Sequence, residues 1–555
     1  MSTEAKWSRH TWHRKASRPV SIWLTVLISA GLIHPLIPEY RWVLIHLFTL
    51  GAITNSIVVW SQHFTEKFLH QPLDDAARPA QLAKIRVLNV GIIITIAGEI
   101  IGQWIVTSIG ATLVGLSLVW HAISLLRQFR SAKRGQPFAS AVLAYVASAC
   151  CLPFGAFAGA LLSRELVDDL HQRVLLTHTV INILGFVGFA ALGSLSVLFA
   201  AIWRTQIRWN TTSWAVVLMA ISLPIIVVGV LVDQGYVAAA GLGAYVAAWV
   251  MCLVGWGKAS ISNLGFASAS VVAAPVWLIG SLVWLIVQVI RHDGALFHVE
   301  IPTIALVIGF GAQLLLGVMS YLLPSTMGGG AGAVRTGLRV FETAGLFRWT
   351  LVNGGLAIWL LTENSWLRVV ASLLAIGSLA VFVALVPKAV KAQRGVLTKE
   401  REPAPVDREP RLNQITAGIS VLALVLAALG GLGTTTAPSA ATSDGDTHQI
   451  TIIAGDMVFQ PDIIEVPPGK VLEVHFINED DMVHDLKFAN GVQSGRVAPG
   501  DDVTFEVGII IAPMEGWCTI AGHHAQGMDL QVVTVADPES VPTEHHDVTS
   551  DALQQ

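Results

Sequence analysis

The chain has 555 residues, of which 53% are hydrophobic and only 13% charged, with a mean hydropathy of +0.63. A soluble fold of this length carries about twice that charged fraction, so most of the chain reads as bilayer-embedded. A net charge of −4 gives no electrostatic case for nucleic acid as a partner, and four cysteines, three of them in apolar runs, make no disulfide framework.

Residues 1–19 are basic and polar (Lys6, Arg9, Arg14, Lys15, Arg18) and run into an apolar stretch with no small-residue cleavage site. They are expected to stay as a cytoplasmic N-terminus. Apolar runs near the 20 or so residues that cross a bilayer follow at 20–38, 41–62, 86–107, 109–127, 139–162, 172–203, 213–232, 236–256, 267–291, 300–324, 345–362 and 366–388. The expected unit is a twelve-span bundle over 20–388.

Lys and Arg concentrate in alternate connections: Lys67, Arg78, Lys84 and Arg86; Arg127, Arg130, Lys133 and Arg134; Arg204 and Arg208; Lys258; Arg335 and Arg339. The opposite connections are short or acidic, as at Glu39, Glu165, Asp168, Asp169 and Asp233. The positive-inside rule then puts the N-terminus in the cytoplasm. A charged cytoplasmic linker at 389–413 and a thirteenth, tethering span at 414–434 carry the remainder outside the plasma membrane.

Ionisable residues within spans invite a functional reading. His46 and His178 fall near the outer ends of the second and sixth spans. Each precedes small and polar residues, Gly51 and Asn55 in one case, Asn182, Gly185 and Gly188 in the other. Paired imidazoles of this kind ligate haem; the alternative is a hydrogen bond to a neighbouring helix. His34, His63, His121, His171, His292 and His298 are lesser candidates. Glu99 is either a proton-path or quinol-site carboxylate or a satisfied structural acid. The run from Phe310 to Gly317 reads as a third copy, with Gln313 where a histidine would stand.

The twelve-span pattern, with outer-side histidines before Gly-rich helix stretches, resembles the haem–copper oxidase superfamily and the NnrS family. A copper-binding oxygen-reducing site there needs adjacent histidines on one helix. Their absence, with Gln313 at the third position, argues against oxygen reduction in the bundle.

Residues 435–447 are rich in Thr, Ser, Ala, Pro and Gly and read as a flexible tether. Strand-like runs follow at 449–454, 464–466, 471–477, 503–507 and 530–535, with a Pro467-Pro468-Gly469 turn between the second and third. An all-β sandwich is expected over 448–536, ahead of an acidic, disordered tail at 537–555.

Within it, Cys518, His523 and Met528 stand at C-x4-H-x4-M spacing, and His484 lies upstream. Two imidazoles and a thiolate in a plane, with a weak axial thioether, make a type 1 (blue) copper electron-transfer site. His523 fits the spacing better than His524, and His475, on a strand, is not expected to ligate.

This module resembles a cupredoxin. The run from Val483 to Leu486, followed by Glu515 to Met528, resembles one in actinobacterial membrane copper proteins. In those, a multispan domain and a cupredoxin are fused to a copper nitrite reductase or multicopper oxidase module. Such enzymes place a histidine beside the copper-binding cysteine; here Trp517 and Thr519 flank Cys518. The expectation is therefore electron transfer rather than catalysis by the chain alone. Electrons would pass from quinol, through haem at His46 and His178, to copper at His484, Cys518, His523 and Met528. An extracytoplasmic copper nitrite reductase or multicopper oxidase would receive them. Copper transport or sensing, a nitric-oxide-stress role, and a subunit of a nitrite reductase or copper oxidase are the alternatives.

Overall fold

The computed structural model describes residue 12 and residues 15–37, 39–164, 166–207, 209–257, 260–362, 364–406, 410–430, 447–520 and 523–535. Most of the expected tether, the expected tail and several N-terminal basic residues lie outside them. The chain forms a helical unit and, from Thr447 on among the described residues, a β unit.

The helices are α1 (Arg18–Leu32), α2 (Tyr40–Phe68), α3 (Asp75–Ile100), α4 (Trp104–Ser131), α5 (Ala139–Leu162), α6 (Asp168–Trp203) and α7 (Thr212–Leu231). They continue as α8 (Gly235–Gly255), α9 (Phe266–Arg291), α10 (Ala305–Met327), α11 (Gly330–Phe341), α12 (Gly345–Leu361), α13 (Ser365–Leu397) and α14 (Asn413–Gly430). Among the described residues ten helices, α2 to α10 and α13, are long and apolar enough to cross a membrane. Helices α11 and α12 meet that test only as a pair bent by 41°. This is a multispan membrane protein.

The apolar runs map onto helices, except that the run at 86–107 crosses the break between α3 and α4 at 101–103 and α1 is shorter than a span; the run at 414–434 continues past Gly430, outside the described residues. The 15 residues of α1 rise about 22 Å, against a hydrocarbon core of about 30 Å. A 3-10 turn with a proline at its start, His34–Leu36, follows α1. Two further differences concern the basic segments. Arg335 and Arg339 belong to α11 rather than to a loop, and α13 runs on to Leu397, into the segment read as linker. There Gln393, fully buried, donates to the carbonyls of Pro324 (3.0 Å) and Gly328 (2.7 Å).

Small residues let α3 and α4 touch along their backbones. A methyl on Gly98 would lie 2.4 Å from the Thr107 amide nitrogen, and one on Gly110 2.3 Å from that of Thr95.

Three spans widen into π-helix: Leu47–Thr54 in α2, Val180–Gly188 in α6 and Ala305–Ala312 in α10. These fall in the three segments read as copies, but the register differs from the sequence reading. Gln313 follows its π stretch directly, which is the place of Asn55 in α2, while the residue before the stretch is Ile304 where α2 has His46. Gln313 thus lies nine residues beyond the histidine position, as Asn55 does from His46, and corresponds to the amide rather than to the histidine.

The surroundings repeat as well. A methyl on Gly51 would meet Trp23 at 2.8 Å, and one on Gly309 would meet Trp277 at 2.7 Å. Trp23 Nε1 donates to Asn89 Oδ1 (2.6 Å), which pairs with Asn55; Trp277 Nε1 donates to Asn353 Oδ1 (2.8 Å), which pairs with Gln313.

The β unit packs two four-stranded sheets, with strands β1 (Thr447–Gly455), β2 (Val458–Gln460), β3 (Ile463–Val466), β4 (Val471–Asn478), β5 (Lys487–Phe488), β6 (Asp502–Ile509), β7 (Met514–Trp517) and β8 (Asp529–Thr534). The orders are β2-β1-β4-β6 and β3-β8-β7-β5, with β1 parallel to β4 and β3 parallel to β8. Alternation on the strands fills the space between the sheets: Leu472, Val474 and Phe476 from β4 meet Leu530 and Val532 from β8 in one core.

Candidate metal centre

Two loops at one region of the sandwich build the site. His484 sits between β4 and β5, where an antiparallel bridge to Val497 fixes its backbone; its N–H donates to Val497 O at 3.2 Å and its O accepts at 2.8 Å. Asn478, at the end of β4 and fully buried, ties this loop by donating to Met482 O (2.7 Å) and Val497 O (2.9 Å). Cys518 directly follows β7, and Met528 directly precedes β8. The Cys518 amide donates to Met528 O at 3.1 Å, closing the loop that carries both, while Gly527 turns the chain at φ +98°.

The structure brings together three of the four expected ligands as a donor cluster. One ligand atom each from His484, Cys518 and His523 lies within 4.8 Å of the others, and all three residues are buried. His523 Nδ1 is 3.2 Å from His484 Nδ1 and 3.6 Å from Cys518 Sγ. Met528 is fully buried in the same core. His524 stands apart, its ring near Trp517, and His475 pairs its Nε2 with Asp502 Oδ2 at 2.9 Å.

Two acids that spacing did not single out shape the cluster. Asp480 Oδ2 accepts from His484 Nε2 at 3.1 Å, leaving Nδ1 as the free lone pair. Burial raises the Asp480 carboxyl, but the amides of Asp481 and Met457 and the His484 ring outweigh it and hold it below its usual range. Asp485 accepts from both the amide and the hydroxyl of Thr519.

Burial, and then the neighbouring His484, bring the His523 imidazole down to about 4, so it is neutral at pH 7 with a lone pair to give. Burial, and then the charge of Asp485, push the Cys518 thiol above its usual range, while backbone hydrogen bonds from Asp485 and Ile520 pull the other way. A thiolate in that position calls for a cation beside it, and thiolate with imidazole suits copper.

A family model for the cupredoxin-like domain matches residues 422–510. The β unit is a cupredoxin domain. The matched stretch includes His484 and stops before Cys518, so the donor set itself rests on the geometry. Two solved structures are similar to this domain. Dithionite-reduced auracyanin from the photosynthetic bacterium Roseiflexus castenholzii is 18% identical, with 16% of this chain covering 99% of it at a TM-score of 0.15. Auracyanin B is 14% identical, with 16% of this chain covering 88% of it at a TM-score of 0.15. No curated protein matches the chain. The cupredoxin domain and its His484, Cys518 and His523 cluster fit a blue copper site.

In the helical unit the rings of His46 and His178 lie 6.2 Å apart, centre to centre. His46 Nδ1 donates to Trp42 O (2.8 Å), and His178 Nδ1 pairs with Gly155 O (3.0 Å). Asn182 Nδ2 is 3.2 and 3.4 Å from the two ring nitrogens of His178, and its buried Oδ1 has no hydrogen-bond partner. Other candidates have partners of their own: His34 bonds Gly31 O, the His292 and His298 rings lie 5.3 Å apart and tilted, and His121 is engaged by Ser61 and Lys84. Lys84, read as a connection charge, is a buried residue of α3, and Arg78 is buried in a 2.8 Å ion pair with Glu66.

Proposed function

We propose that the chain is a membrane-bound electron-transfer protein whose cupredoxin domain holds one type 1 copper ion on His484, Cys518 and His523, with Met528 as the axial ligand. Quinol is the electron donor, and an extracytoplasmic copper reductase, such as a nitrite reductase, is the acceptor. The Lys and Arg content of the connections after α2, α4 and α6 supports a cytoplasmic side there; with α1 and α14 each crossing once, the N-terminus is cytoplasmic and the cupredoxin domain extracytoplasmic.

The observation that carries this reading is the buried donor cluster, with one ligand atom each from His484, Cys518 and His523 inside one 4.8 Å group. Bound copper supplies a one-electron couple. The chain's own residues keep the ligand shell fixed: Asp480 holds the His484 ring, and the Cys518–Met528 backbone bond spans the cysteine loop. Fixed ligands keep the rearrangement between oxidation states small. Burial of all three ligands excludes water from the ion.

A haem between His46 and His178 is the proposed intermediate carrier. His46 and His178 would hold the haem, which would carry one electron at a time. The 6.2 Å spacing of their rings supports this reading, as does the carbonyl partner of His46 Nδ1, which leaves Nε2 of that ring for a metal.

The test is an optical and EPR spectrum of the detergent-solubilised protein, oxidised and then reduced. A thiolate–copper band that Cys518→Ser removes is expected, and its absence from copper-loaded protein overturns the copper reading. A Soret band lost in His46→Ala and His178→Ala is expected for the haem. A copper band without any Soret band removes haem and leaves the copper site standing.

A further inference from the structure

Lys84, His121 and Ser61 form a buried hydrogen-bonded chain across three helices. Lys84 on α3 has its Nζ 2.8 Å from His121 Nδ1, and His121 on α4 has its Nε2 2.8 Å from Ser61 Oγ on α2. Their exposures are 2%, 1% and 2%. Among the described residues no carboxylate pairs with Lys84. An amine and an imidazole placed this deep among apolar helices are costly, and nothing in the packing of α3 against α4, which small residues already secure, requires them.

The chain has an open end. Ser61 lines a cleft between α2, α5, α6 and α10, with Trp60, Phe64, Tyr145, Ser194 and Met319 also in its wall. It is a small cleft of about 80 Å³, open along one side. Its surface is almost all carbon, and a second hydroxyl pair, Tyr145 Oη with Ser194 Oγ at 3.1 Å, faces the same space. An apolar wall with a few hydroxyls suits a lipid-soluble ring that carries hydroxyl groups of its own.

We propose that this cleft binds the quinol and that Ser61, His121 and Lys84 relay its protons; the proposal rests on the reading of quinol as electron donor. A quinol hydroxyl gives its proton to Ser61 Oγ, Ser61 gives its own to His121 Nε2, and His121 passes the Nδ1 proton to the Lys84 amine. Lys84 gives it up to bulk water before the second proton follows the same route. The quinol becomes quinone by losing two protons and two electrons, and the electrons reduce Cu(II) to Cu(I) twice in succession.

The experiment uses the full-length, copper-loaded protein in detergent, mixed in a stopped flow with duroquinol or with dithionite while the copper band is followed. Duroquinol bleaches the wild-type band with a solvent deuterium isotope effect. His121→Phe and Lys84→Met bleach at least about tenfold more slowly with duroquinol, in line with the usual loss of a proton-transfer group, and at the wild-type rate with dithionite. Ser61→Ala, which removes one hydroxyl, slows the same step and reads it if the larger changes disturb folding. Wild-type rates with duroquinol in all three variants overturn the relay and leave the electron-transfer reading intact. A wild-type band that dithionite bleaches and duroquinol does not overturns the quinol reading, and the relay with it.

Discussion

Asp480 Oδ2 sits 3.1 Å from His484 Nε2, so the ring nitrogen that does not face His523 is held by a carboxylate four residues upstream. The Asp481 and Met457 amides in turn hold that carboxylate, at 2.8 and 3.2 Å. The imidazole is thereby fixed in tautomer and orientation before any metal arrives. Partners of metal-bound histidines typically contribute 10- to 100-fold in metal affinity. Asp480→Ala is expected to weaken copper binding by about that factor in a competitive chelator titration. Wild-type affinity in this variant would show that His484 needs no such support.

Asp485 controls charge rather than orientation. Its carboxylate accepts from the Thr519 amide and hydroxyl, next to Cys518. A negative charge there favours Cu(II) over Cu(I). Asp485→Asn removes it and is expected to raise the reduction potential of the copper. A redox titration of the thiolate–copper band measures this, and a lower or unchanged potential contradicts it.

Asn353 links Trp277 on α9 to Gln313 on α10, bonding both side chains from α12. Asn353→Leu strands an indole N–H and an amide in an apolar surrounding, at a cost of about 1–3 kcal/mol. Gln313→Leu on top of it removes one stranded group, so the double variant is expected to be less destabilised than the sum of the singles. Thermal unfolding in detergent completes the cycle; strict additivity would mean that the two amides do not act together.

Helix spacing is set where α3 meets α4. Gly98→Ala puts a methyl 2.4 Å from the backbone nitrogen of Thr107, where no side chain can move aside. Overpacking of this kind costs about 1–3 kcal/mol. At Gly280 an added methyl meets nothing within 4 Å, so Gly280→Ala is expected to leave the unfolding midpoint unchanged or raise it. Equal midpoints for the two variants would refute this account of the α3–α4 contact.

What was legible in the sequence follows from the range of the signal. Apolar runs revealed the helices because length alone suffices, and alternation revealed β1, β4, β6 and β8. Cys518 and His523 were readable together because one loop carries both. Asp480 was not singled out, because no motif marks a second-layer acid. Ser61, Lys84 and His121 were not connected, since they lie on three helices and meet only after packing. The basic residues of α11 read as a loop because Arg335 and Arg339 suggested a cytoplasmic connection. Gln313 was matched to His46 rather than to Asn55, nine residues further on, because the small-residue runs that follow these positions look alike in sequence.

The π stretch of α2 has a mechanical consequence. A wider turn absorbs about one extra residue relative to an α-helix, and one residue corresponds to about 100° of rotation. Leu47–Thr54 separates His46 from Ser61, so it acts as a phase spacer that fixes the azimuth of one against the other along a single helix. Excising one residue there would return the turn to α geometry and leave His46 and Ser61 on their present faces, whereas one residue added in the α-helical stretch beyond it would swing Ser61 by about 100° while His46 keeps its bearing.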